Sequence, residues 1–276
     1  MTATSSDSSA HVPRKLVIAN SELLELRSTF TGKQHELIVG LPPSYEREPE
    51  RRYPVAYLLD GYWDFNLVNT LMGGLIYDRV APELIVVGLS YGGAAPNYDR
   101  LRGDDYTPTR AHPSHSAEPF GGGGPRFLEF IEQSVLPTIE GRYRVDPRQR
   151  SLSGHSLGGL FTLYALFERP ELFASYLALS PAAGWDGRWL FERERAFRKQ
   201  HARVDRRVWL SVGDSEWPQF SQDCRDFFEQ FRASQYAGIQ LRQRIVEGER
   251  HSGVKPESYN RALRFAFAEW AASQSA

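Results

Sequence analysis

The stretch Arg150-Ser151-Leu152-Ser153-Gly154-His155-Ser156-Leu157-Gly158-Gly159 decides how this chain is read. Arg150 to Ser153 is a short strand candidate, and Leu157 to Phe167, rich in Leu, Phe and Ala, predicts a helix that Pro170 stops. Between them lies Gly-x-Ser-x-Gly, the pattern of a serine exposed on a sharp strand-to-helix turn. Glycines permit the close backbone approach that such a turn demands. The helix N-terminus sets unpaired N–H groups and a positive dipole end beside Ser156, an arrangement that stabilises a developing oxyanion.

Outward from this turn, strands and helices alternate. Glu22 to Phe30 and Glu36 to Leu41 bracket Thr31-Gly32-Lys33 as a hairpin. Pro54 to Asp60 and Leu84 to Gly88 are continuous apolar runs, suited to strands covered on both faces. Arg126 to Ile139 carries a helical stripe, Phe173 to Leu179 and Val208 to Val212 read as strands, Ser221 to Tyr236 as a helix, Ile239 to Val246 as a strand and Tyr259 to Ala272 as a closing helix. Such alternation implies a mostly parallel sheet with helices on both faces.

A second copy of the motif, Gly88-Leu89-Ser90-Tyr91-Gly92, follows a good strand but leads into Gly93-Ala94-Ala95-Pro96, which has no helical stripe. Ser90 is therefore read as part of a glycine-rich loop at a strand end, and Ser156 as the nucleophile. A nucleophilic serine needs a base, and the base an orienting acid, in the chain order Ser, acid, His. Only His201 and His251 follow Ser156. His201 sits in a charged run, Glu192 to Arg207, that reads as a solvated helix face or loop. His251 follows the last strand, at the sheet edge where ligand chemistry collects in open α/β folds, and is the expected base. Gly213-Asp214-Ser215-Glu216 supplies the acid; a carboxylate that must turn back toward the histidine favours Glu216, with Asp214 as the alternative. Backbone N–H groups of Leu157 and of Tyr62, in the expected loop Leu58 to Trp63, are the oxyanion donors.

With 276 residues, 41% hydrophobic and 24% charged, the composition is that of a globular protein. We expect a polar tail over 1–14 and one domain over 15–276. Lys and Arg total 33 against 34 Asp and Glu, a net charge of −1, which gives no global attraction for nucleic acid or an anionic membrane. The lone Cys224 can make neither an intramolecular disulfide nor a Cys-rich zinc site and reads as a buried helix residue. No apolar run approaches the roughly 18 residues of a membrane span, and the start lacks an apolar signal region, so the expected compartment is the cytoplasm. His112 and His115 lack the neighbours of a metal site and read as loop residues.

At these residues the chain resembles the esterase family of α/β-hydrolases. Leu41-Pro42-Pro43-Ser44-Tyr45, Tyr53 to Gly61, Asp105-Tyr106-Thr107-Pro108, Gly154 to Leu160, Ser180-Pro181 and Gly213 to Glu216 carry the resemblance, which covers nearly the whole chain after about residue 15. It is strongest toward the branch of trilactone-siderophore and feruloyl esterases, from which the chain departs at Trp185-Asp186-Gly187, where that branch usually carries more aromatics. The resemblance implies an α/β-hydrolase fold, a mostly parallel sheet with antiparallel N-terminal strands. It also implies hydrolysis of a small-molecule ester through an acyl-enzyme, with no metal or organic cofactor. Acyl transfer by the same residues, and a non-catalytic binding protein of the same fold, are the competing functions.

Arg100 and Arg102 precede Asp105 in an expected loop at the site edge. Paired guanidinium donors suit an anionic or catecholate group, and the plainer alternative is a loop-fixing ion pair with Asp104 or Asp105. Of Trp63, Trp185, Trp189 and Trp217, one or two are expected to line an aromatic pocket, Trp185 foremost. The apolar run Leu71 to Ile76 reads as a loop that covers the pocket or joins two copies in a homodimer.

Overall fold

A computed structural model describes residues 18–112 and 118–270. The expected tail and His115 lie outside the described residues. The chain begins with β1 (Ser21–Arg27) and β2 (Gln34–Gly40), an antiparallel hairpin in which Ser21 faces Gly40 and Arg27 faces Gln34. Then come β3 (Tyr53–Leu58), α1 (Gly61–Tyr77), β4 (Ile85–Tyr91), α2 (Tyr98–Asp105) and a two-residue ribbon, β5 (Arg110–Ala111) with β6 (Phe120–Gly121). α3 (Gly124–Phe130) and α4 (Leu136–Arg142) are joined by a π-helical turn, Ile131–Val135. β7 (Val145–His155), α5 (Leu157–Glu168), β8 (Ser175–Leu179), α6 (Trp185–Gln200), β9 (Arg207–Gly213), α7 (Pro218–Ala233), β10 (Gln240–Val246) and α8 (Val254–Ala266) complete it.

Eight strands form one sheet in the order β1-β2-β4-β3-β7-β8-β9-β10. β2 runs antiparallel to both neighbours, and every pair from β4 to β10 is parallel. β3, β4 and β8 are buried along their whole length, which is why their sequences are apolar without alternation. One face packs against Phe127, Phe161, Phe167, Phe197 and Phe227 from the helices between α3 and α7. The opposite face packs against Phe65, Val68 and Met72 of α1 and Tyr259 and Leu263 of α8. Each such buried phenylalanine contributes about 1.5–3 kcal/mol of transfer free energy.

Four local expectations are corrected. Leu71 to Ile76 is no loop: it lies inside α1, with Met72 and Leu75 turned into the core. The mid-helix Gly73-Gly74 pair masked the stripe of Phe65, Val68, Met72 and Leu75. Tyr62 likewise belongs to α1 and not to a loop. Arg100 and Arg102 lie on α2, which Asn97 starts by accepting the Arg100 N–H at 3.0 Å. Ser90 is neither on a loop nor on a turn: it is an interior residue of β4, paired with Glu36 of β2.

Among the described residues no helix is long and apolar enough to cross a membrane.

Candidate active site

β7 ends at His155, α5 begins at Leu157, and Ser156 forms the corner with φ 61° and ψ −117°. A non-glycine residue keeps a positive φ only where its surroundings impose it. Here the Ser156 N–H donates to the Leu179 carbonyl at 3.0 Å and its carbonyl accepts from Ala182 N–H at 3.0 Å, so β8 and the following loop clamp both sides of the corner. Gly154 is required because a methyl there would lie 2.5 Å from the Gly158 carbonyl carbon. Leu157, as the first residue of α5, has a backbone N–H with no intrahelical acceptor. Tyr62 is the second residue of α1, and its backbone N–H likewise lies in a first turn without an intrahelical acceptor.

His251 lies in the loop between β10 and α8. Its Nδ1 is 2.6 Å from Glu216 Oε2. Glu216 follows the turn after β9, with its side chain fully buried. Its other oxygen accepts from the Ser180 hydroxyl at 2.6 Å and from the Gly213 N–H at 2.8 Å. With three donors pointing at it, Glu216 sits in surroundings that suit a carboxylate, an acceptor-only group. Nδ1 must therefore carry the hydrogen it donates, which leaves the neutral imidazole with a lone pair on Nε2. Asp214 does not meet His251; it is exposed and accepts from the Gly248 N–H at 2.8 Å and the Ser215 hydroxyl at 2.9 Å, tying two loops together. His201 ends α6, stacked on Phe197 at 4.1 Å.

Two cavities meet at Ser156 and His251. The larger, about 970 Å³, is walled by Phe120, Trp185, Trp217 and Phe220, with Leu157, Arg102, His112, Asp186 and Asp223 also on its surface. Trp185 is held in place by its Nε1–H, which donates to Thr109 Oγ1 at 3.1 Å, and by edge contact with Phe120. The rim beside it is one left-handed turn, Asp186-Gly187-Arg188, with φ of 47°, 62° and 68°. Arg188 fixes that turn by donating to Asp223 at 2.6 Å and Asp226 at 2.8 Å. The smaller cavity, about 460 Å³, is lined by Asp60, Trp63, Asp64, Arg102, His155 and Lys255 among others. Tyr62 lines neither cavity; its ring is exposed and stacks on Tyr98 at 4.2 Å. Trp189 packs beside Tyr164. Cys224 is buried, its thiol facing the Pro181 carbonyl at 3.0 Å. Among the described residues no group of three or more His, Cys, Asp or Glu side chains comes together as a metal site.

The arginines differ from expectation. Arg102 pairs with neither Asp104 nor Asp105 but with Asp60, at the N-cap of α1, through Nε and Nη2 at 2.7 and 2.8 Å. Burial opposes its charge, yet the facing Asp60 carboxylate outweighs that and raises its pKa above the usual arginine value. Asp105 is taken instead by Lys33, at 2.5 Å, and Tyr91. Arg100 is exposed and lines neither cavity. Sequence reading missed Phe220, which meets the His251 ring edge-on at 4.8 Å, and His155, whose ring lies 4.3 Å from that of His251. The position of His155 inside the serine motif was the available signal.

Residues 28–263 match the family model described as Putative esterase. The chain belongs to this esterase family. The esterase is similar to Ferri-bacillibactin esterase BesA of Bacillus subtilis, at 28% identity over 268 residues and 90% of each chain. It is also similar to the siderophore triacetylfusarinine C esterase of Aspergillus fumigatus, at 28% identity over 293 residues, 95% of this chain and 98% of the relative. Among solved structures, the BES protein from Bacillus cereus superposes with a TM-score of 0.83 at 26% identity, over 93% of this chain and 99% of that one. The fold is that of the α/β-hydrolases, and the esterase is a hydrolase of ester bonds.

Proposed function

We propose that this esterase hydrolyses a siderophore-type or aromatic-acid ester through an acyl-enzyme on Ser156, with His251 as base and Glu216 as the orienting acid. One observation carries the reading: the serine held at the strained corner and the imidazole oriented by a buried carboxylate share the walls of both cavities. His251 Nε2 takes the Ser156 proton as Oγ attacks the ester carbonyl. The oxyanion is met by the first-turn N–H groups of Leu157 and Tyr62, fixed dipoles that need no reorganisation. His251 then gives its proton to the leaving alcohol, and the same imidazole activates the water that frees the acid. Phe120, Trp185, Trp217 and Phe220 supply flat apolar walls for an aromatic acyl group, and the names of the relatives point to siderophore esters. Residues 15–276 act as one catalytic unit in this reading.

The test is a panel of aryl, short-acyl, feruloyl and siderophore-lactone esters, run with a fluorophosphonate probe. The reading expects Ser156→Ala to abolish both turnover and labelling while Ser90→Ala keeps both. Labelling and turnover surviving in Ser156→Ala would refute it.

A further inference from the structure

We propose that His155 is a positioning residue that holds His251 in register with Ser156, an inference that rests on the reading of those two as base and nucleophile. His155 Nε2 lies 2.6 Å from the backbone carbonyl oxygen of His251. A carbonyl only accepts, so Nε2 carries the hydrogen and the ring tautomer is fixed by its partner. The two imidazoles are 4.3 Å apart between centroids, inclined by 48°. Trp217 at 5.2 Å and Phe220 at 4.8 Å border the His251 ring as well. The His155 carbonyl accepts from Arg102 Nη2 at 3.3 Å, so the residue is anchored through its backbone as well as its ring.

The geometry has a direct consequence for distance control. His155 is covalently next to Ser156, and its side chain is hydrogen-bonded to the main chain of His251. The nucleophile and the base, on different loops, are thus tied together across one residue. A loop-borne imidazole without that tie would drift by a fraction of an ångström, and misplacement of about 1 Å costs on the order of 100-fold in rate. The ring must also be neutral, since a second cation would oppose the proton that His251 takes up. Burial first, then the facing His251 and Lys255, hold the His155 pKa well below its ordinary value.

The experiment compares His155→Leu, which removes the donor, His155→Gln, whose amide N–H can reach the same carbonyl, and His155→Asn, whose amide is too short. Each full chain is assayed for kcat and KM on one aryl ester, with active sites counted by fluorophosphonate titration. The expected result is a kcat lower by about 10–100-fold per titrated site for Leu and Asn, little change in KM, and recovery of most of the rate by Gln. A folded Leu or Asn variant with wild-type kcat, a loss carried by KM, or a fully titrating Gln variant as slow as Asn overturns the proposal. If Leu fails to fold, the Gln–Asn comparison decides. Ser156→Ala and His251→Ala run alongside: activity in both sinks the catalytic reading and this inference together, whereas inactivity in both beside unimpaired His155 variants sinks this inference alone.

Discussion

The guanidinium of Arg102 closes on both carboxylate oxygens of Asp60, Nε to Oδ1 at 2.7 Å and Nη2 to Oδ2 at 2.8 Å, with side-chain exposures of 13% and 3%. Asp60 stands in a left-handed conformation, φ 56°, and its N–H donates to the Tyr106 hydroxyl at 3.0 Å. A third Arg102 bond reaches the carbonyl of His155, so one side chain links the start of α1 to the serine corner. This largely buried fork is held by Asp60 while Arg102 also borders both cavities. Arg102→Met leaves Asp60 buried and unpaired, and we expect a loss of about 3–5 kcal/mol in urea unfolding. Activity on anionic and neutral esters of matched size should fall by the same factor; a loss confined to the anionic ester would reinstate Arg102 as a substrate reader.

Glu216→Gln tests the acid. Oε1 accepts from Ser180 and Gly213, so the amide oxygen keeps that side and the amide NH2 turns to His251 Nδ1. The imidazole is then forced into the tautomer with hydrogen on Nε2, which cannot accept a proton from serine. We expect kcat to drop by about 1,000-fold or more. Asp214→Asn keeps an acceptor for the Gly248 N–H and should stay within about 3-fold of wild type, as expected of surface changes. Steady-state kinetics on both variants separate the two carboxylates.

Gly73 lies on the exposed side of α1, and a methyl group there would meet nothing within 4 Å. Glycine in a helix interior costs about 0.5–1 kcal/mol relative to alanine. Gly73→Ala should raise stability by that amount with unchanged kcat, as read by denaturant titration and the ester assay. A loss of stability would mean that α1 is bent or strained at this point.

His35 is buried against Phe130, with its ring stacked at 4.3 Å and Nε2 2.8 Å from Thr31 Oγ1. Burial, with Lys33 adding to it, lowers its pKa from 6.5 to about 3. Between those values the unfolded chain binds more protons than the folded one, so stability falls as pH is lowered through the window and is fully present above it. The slope from this residue reaches about 1.4 kcal/mol per pH unit at most. Urea midpoints measured at pH 7.5, 6 and 5 should decline, and less steeply in His35→Leu. Parallel declines in the two proteins would remove His35 as the cause. His155, lowered in the same direction, keeps some slope in the variant.

The parts of this architecture with a simple apolar pattern, continuous or periodic, were readable from the chain. β3, β4 and β8 announced themselves as apolar runs because both of their faces are covered. α5 was marked by its richness in Leu, Phe and Ala and by its proline stop. Ser156, His251 and Glu216 could be singled out together because the serine motif sets a chain order for its partners; in the structure His251 meets Glu216 and lines both cavities with Ser156. What stayed hidden has physical reasons. α1 holds two glycines in its middle, which local propensity reads as a break, although Phe65, Val68, Met72 and Leu75 bury its other face. α2 is short and charged, so periodicity had little to work on. The partner of Arg102 lies 42 residues away, and only the sheet order brings β3 and the segment after β4 together. A charge chooses its partner by folded geometry, and nearby acids in sequence are poor guides to it.

The positive φ of Ser156 is built into the folded chain. Its cost, about 1–3 kcal/mol, falls on the folding equilibrium and not on each turnover. A glycine at this position would relax the torsion and tighten the fold while erasing the hydroxyl. Durability and reactivity therefore pull in opposite directions at a single dihedral angle, and any selection of this protein for heat resistance alone would push residue 156 away from serine.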